Sequence, residues 1–147
     1  MRLSALLFLI LLGSCSTKYG TAKTDRQMKE IYLSEFKMTY FKDILRKGFN
    51  NNIGYNNAVK IDNSHFAEPI LSTEDLKYID SLTTVGNQFM VSDSLQSIGR
   101  SAEGAEGKLV FNYALERYNS KWLDSISKQH LKTYWKLETD FRKSLQK

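Results

Sequence analysis

Pro69 is the only proline in this chain of 147 residues, and no stretch alternates apolar and polar residues for long. Proline breaks helix interiors and period-two alternation marks strands, so the pattern leaves long helices as the structure this chain can build. The longest candidate lies between Gly20 and Gly48, where neither glycine nor proline intervenes. Met28, Ile31, Phe36, Met38, Leu45 and Phe49 fall near one helical face, and Leu33, Tyr40, Phe41 and Ile44 widen it. The spacing predicts a helix over about 25–47, with Thr24 and Gln27 as a capping box and Gly48 as the C-cap. Phe49 to Tyr55 reads as a loop, since asparagine and glycine tolerate left-handed backbone.

Further helices follow. Residues 56–66 form a short one. Ser72 and Asp75 cap the next, with Leu76, Ile79, Leu82, Val85, Phe89 and Met90 on its face. Another carries Leu109, Val110, Ala114, Leu115 and Tyr118, and Asn119 or Ser120 separates it from a last helix through Trp122, Leu123, Ile126, Leu131, Tyr134, Trp135 and Phe141. Short connections favour antiparallel neighbours. The expected fold class is all-α, a small bundle of about four to six helices following a cleaved lipoprotein leader.

That leader is read from the first residues. Arg2 precedes the run Leu3 to Leu12, apolar except for Ser4, and Gly13-Ser14-Cys15 follows. The run is too short to span a bilayer, which takes about 20 residues, and suits a signal h-region. With the chain's only cysteine behind it, this resembles the bacterial lipobox, which implies cleavage before Cys15 and lipidation of Cys15. The expected organisation is therefore a leader at 1–14, an acylated Cys15 and polar tether at 15–25, and an all-helical binding domain at 26–147. The expected location is the periplasmic side of the cell envelope, on a membrane held by the acyl chains.

Charge is uneven. Residues 16–47 carry 8 basic and 4 acidic groups, residues 48–107 carry 3 and 8, and residues 108–147 carry 9 and 4. Either the flanking helices neutralise the centre, or the centre is an acidic contact surface for a basic partner. No basic-aromatic run marks a nucleic-acid site. One cysteine and two histidines leave little for a zinc site, and no metal or cofactor is expected.

Catalytic candidates are thin. His65 and Glu68 make an isolated H-x-x-E without the second histidine of a zinc protease. His130 can share a helix face with Asp124 and Ser127, but a single helix supplies no oxyanion hole, and His130 reads as interhelical or solvent-facing. Glu103 and Glu106 are paired carboxylates on a glycine-rich stretch with no substrate-positioning groups around them. The chain reads as a binding protein rather than an enzyme, with the segment 92–107 as its recognition loop and Ser97, Arg100, Glu103 and Glu106 as its contact residues.

Two blocks carry a family resemblance: Phe36-Lys-Met-Thr-Tyr40-Phe41-Lys-Asp-Ile-Leu45-Arg-Lys-Gly48-Phe49, and Phe111-Asn-Tyr113-Ala-Leu115-Glu-Arg-Tyr118-Asn-Ser120-Lys-Trp-Leu123-Asp124-Ser-Ile126. They resemble the type VI secretion amidase immunity proteins over about residues 28–132, although the helix cysteines usual in that family are absent here. The resemblance implies a small helical, commonly homodimeric protein that binds a cognate peptidoglycan amidase effector and occludes its active-site groove. The alternative is an envelope structural or assembly lipoprotein acting as a helical interaction module.

Overall fold

The computed structural model describes residues 16–62, 69–96 and 107–145. Among them there are five helices and no strand: α1 (Ser16–Gly48), α2 (Ile53–Ile61), α3 (Thr73–Gln96), α4 (Val110–Tyr118) and α5 (Lys121–Ser144). The all-α expectation holds. The chain divides into two compact units, residues 1–31 and 32–147.

In the first unit the described residues belong to α1, which begins at Ser16 rather than near residue 25. The expected tether at 16–25 is thus helical in its described part. Its polarity suggested a tether, yet Gly20 is the only strong helix breaker in it, and extending a formed helix costs far less than nucleating one. Arg26 and Glu30 pair at 3.0 Å across one turn of this segment.

The second unit is organised by a ridge of residues four apart on α1: Tyr32, Phe36, Tyr40, Ile44 and Gly48, all buried. Each step of four turns the helix by slightly more than a full revolution, so the ridge winds slowly around α1 and meets different partners along its length. Tyr32 stacks on Tyr134 with ring centres 5.0 Å apart, Phe36 lies 5.4 Å from His130, and Tyr40 meets the edge of Trp122 at 6.1 Å. Numbers rising on α1 and falling on α5 make these two helices antiparallel. Each such aromatic pair contributes about 0.5–1.5 kcal/mol beyond simple burial.

Further along the ridge, helix axes close in. A Cβ on Gly86 would sit 3.0 Å from Ile44 Cδ1, and one on Gly48 would sit 2.4 Å from Val110 Cγ1. Gly48 is therefore the last residue of α1 and a contact point, not only the expected stop. The turn after it is made by Asn50 (φ 55°) and Asn51 (φ 56°), as the asparagine run predicted. Their amides return to Lys47 O and Arg46 O at 2.9 and 2.8 Å. The short helix expected at 56–66 occupies 53–61, capped by Asn52 through Gly54 N.

The capping of α3 matches the sequence reading. Asp75 N donates to Ser72 Oγ (3.1 Å), while Ser72 N and Ser72 Oγ both donate to Asp75 Oδ2 (3.0 and 2.9 Å). The junction of α4 and α5 is fixed by Ser120. Its Oγ donates to Arg117 O (2.6 Å) and accepts from Leu123 N (3.1 Å).

One expected face is rotated. The sequence put Leu76, Leu82, Val85 and Phe89 in the core with Ile79 and Met90. The buried face of α3 is instead Asp75, Ile79, Thr83, Gly86 and Met90. Val85 and Phe89 remain 61% and 57% exposed. The reason is polar and steric: α3 turns inward the groups that bond to α1 and α5, and the glycine that lets α1 approach.

Candidate functional site

Two polar nodes hold α3 in that orientation. In the first, His130 Nδ1 donates to Asp75 Oδ1 at 2.9 Å, with the ring stacked on Tyr78 at 4.3 Å. Burial pushes the Asp75 carboxyl up, but the hydrogen bonds from His130 and Ser72 outweigh it and hold the group below its ordinary range. Tyr32 Oη is buried beside this carboxylate, outside regular hydrogen-bond geometry to it, and burial, with Asp75 adding to the effect, raises its pKa strongly. In the second node Asp43 accepts from Arg46 Nε (2.9 Å), from the Thr83 hydroxyl and from Lys47 Nζ (3.2 Å). Lys47 Nζ also reaches Asp80 O, Asp80 Oδ1, Thr84 Oγ1 and Thr83 Oγ1 at 2.6–2.9 Å. Asp43 too is lowered, burial being outweighed by Thr83, Arg46 and Lys47.

These nodes account for the candidate catalytic histidine. His130 does not form a set with Asp124 and Ser127. Its bond goes to Asp75 on another helix, as the interhelical reading expected, while Asp124 pairs with Lys128 at 2.5 Å and Ser127 Oγ donates to Asp124 O at 3.0 Å. His65 and Glu68 lie outside the described residues, as do Cys15, Ser97, Arg100, Glu103 and Glu106. Among the described residues no group of three or more histidine, cysteine or carboxylate side chains is placed to hold a metal.

What the rotated face leaves outside is the candidate site. Tyr78, Val85 and Phe89 lie exposed along the flank of α3 with the half-buried Leu82 among them, Tyr78 stacked on α5 and Phe89 5.8 Å from the Tyr113 ring of α4. At the Phe89 end lies a hollow of about 120 Å³. Phe89, Leu109 and Tyr113 give it an apolar body, and Asp93 and Glu116 give it two carboxylates. Glu116 accepts from Asn112 Nδ2 at 3.0 Å, which fixes its position along α4. The volume is well below the roughly 300 Å³ at which small-molecule pockets begin, and is of the size of a single side chain.

The segment 97–106 joins the two helices that form this hollow, so the described ends of the expected recognition loop flank it. Its far end is firmly held. Lys108 Nζ donates to Asn50 Oδ1 (2.8 Å) and Asn87 Oδ1 (3.2 Å), and burial lowers its pKa. Gly107 has φ +106°, a conformation that favours glycine, and nothing stands within 4 Å of where a Cβ would lie, so backbone conformation rather than crowding selects the residue. Sequence reasoning missed Phe89, Tyr113 and Glu116 because it spent the apolar residues on the core. The negative balance of residues 48–107 covers Phe89 and Asp93 but not Tyr113 or Glu116, which lie in the net-positive segment after it.

No family model, curated protein or solved structure matches the chain. No helix among the described residues is long and apolar enough to cross a membrane. The labels of lipoprotein, signal peptide, membrane and type VI secretion that the sequence suggested thus gain no support, and the description is corrected to an all-α bundle.

Proposed function

We propose that this chain is a helical protein-binding module that takes a basic side chain of its partner into the hollow between α3 and α4. The observation that carries the reading is the pairing of an apolar body (Phe89, Leu109 and Tyr113) with the carboxylates of Asp93 and Glu116. A lysine or arginine can lay its hydrophobic stem along such rings and bring its charge to the carboxylates. The exposed flank from Tyr78 to Phe89 supplies apolar area around that anchor, and contiguous apolar area of this kind marks association surfaces. In its finer form, drawn from the sequence resemblance, the partner is a peptidoglycan-cleaving amidase whose groove the module occludes. An inhibitor needs a preorganised surface and no chemistry of its own.

The test is calorimetric titration of the full chain against the product of the neighbouring gene, with peptidoglycan cleavage by that product followed in parallel. Binding with loss of cleavage is expected, and Glu116→Lys or Phe89→Ala weakens it at least about tenfold, the behaviour of an anchor position. Binding without loss of cleavage removes the inhibitor form. Unchanged affinity in both variants removes the α3–α4 hollow as the docking site.

A further inference from the structure

A second concavity lies apart from that surface, between α1 and α2. Helix α2 buries none of its residues fully, so it stands off from α1 and leaves a cleft of about 460 Å³ beneath it. The cleft is held open by contacts at both ends of α2. Tyr55 Oη donates to Lys42 O (2.8 Å), and Lys42 Nζ pairs with Asp62 Oδ2 (2.7 Å). Phe49 packs on Tyr55 with ring centres 6.0 Å apart, tying α2 back to the end of α1. The size falls within the roughly 300–1,000 Å³ typical of small-molecule sites.

Its chemistry is one-sided. Tyr55 and Val59 form an apolar wall, and Lys42, Arg46 and Lys60 bring three cations to the lining. The one carboxylate of the lining, Asp43, is committed to Arg46, Lys47 and Thr83, and Asp62 is committed to Lys42. Lys60 makes no ion pair among the described residues. An anion entering here meets that cation first, beside Lys42, which is paired with Asp62, and Arg46, which is engaged by Asp43, Asp80 and Asn51. A hydrocarbon or aromatic body attached to it lies against Tyr55 and Val59.

We propose that the α1–α2 cleft binds a small amphipathic carboxylate, an acid with an apolar body of one ring or a short chain. The site is independent of the protein-docking hollow on α3 and α4.

Phenylbutyrate and its neutral counterpart phenylbutyramide test this on the full chain, by calorimetry and by amide chemical-shift mapping. Saturable binding of phenylbutyrate is expected, with shifts concentrated at residues 39–46 and 55–60. The amide binds at least about tenfold more weakly, because charge-assisted hydrogen bonds to cations are lost. Lys60→Gln weakens the acid by a similar factor, and Val59→Trp, which fills the cleft, abolishes binding. Both positions lie on a helix without fully buried residues, so circular dichroism of the variants stays at the wild-type level. Phe89→Ala leaves phenylbutyrate binding unchanged. Absence of saturable binding, equal binding of acid and amide, or indifference to both cleft variants overturns the proposal. So does loss of binding in Phe89→Ala.

Discussion

Gly48→Ala tests the close approach of the end of α1 to the start of α4. The added Cβ would lie 2.4 Å from Val110 Cγ1 and 3.2 Å from Val110 Cγ2, whereas carbon atoms at rest stand about 3.5–4.0 Å apart. Val110 is only 6% exposed, so it cannot swing into solvent, and either its rotamer or the start of α4 must shift. Overpacking of this kind costs about 1–3 kcal/mol. Against it stands the gain of alanine over glycine within a helix, at most about 1 kcal/mol and less in a last turn. The net expectation is destabilisation by about 1–2 kcal/mol. Val110→Ala alone removes two carbons from the core and costs about 1.5–2.5 kcal/mol. In the double variant the methyl added to α1 occupies space the valine vacated, so the loss is smaller than the sum by about 1–2 kcal/mol. Urea unfolding followed by far-ultraviolet circular dichroism, with unchanged m-values, measures all four corners of this cycle. Additivity to within about 0.5 kcal/mol, or a stabilised Gly48→Ala, would show that Val110 does not press on α1 and would refute the packing scheme.

Three further expectations concern the two polar nodes. Tyr32→Phe removes a buried hydroxyl that lies beside Asp75 outside regular hydrogen-bond geometry, and leaves the ring stacked on Tyr134. It should be neutral or stabilising by up to about 1 kcal/mol, and a loss above that in thermal unfolding would mean that the hydroxyl bonds to Asp75 after all. Asp75 and Asp43 both titrate below their ordinary range in the folded chain, so each stabilises above the unfolded carboxylate pKa of about 3.9. That contribution disappears as pH falls through the lowered folded values. The melting temperature is therefore expected to drop between about pH 5 and pH 2. Asp75→Asn starts about 2 kcal/mol less stable near neutrality and shows a shallower acid slope, and an acid slope equal to that of the native chain would exclude Asp75 as its source.

The sequence by itself determined the helical class, because the lone proline and the lack of alternation left no room for strands. It also determined local punctuation. The Ser72–Asp75 cap, the Asn50–Asn51 turn and the Ser120 junction are short-range hydrogen-bond and backbone preferences, and nearby residues suffice to specify them. The extent of α1 was less legible, since a polar composition at 16–25 resembles a tether until it is attached to a nucleated helix.

Which side of α3 faces inward was decided only by the tertiary structure. Leu82, Val85 and Phe89 outrank Thr83 and Gly86 on any scale of hydrophobicity. Thr83, however, meets Asp43 and Lys47, Gly86 admits Ile44, and Asp75 meets His130 55 residues away. Those partners lie on other helices, and a buried polar group is tolerated only where such partners satisfy it. Burying the polar face forced the apolar flank outward, and the hollow at Phe89 and the open cleft beneath α2 follow from how helices pack rather than from any local pattern.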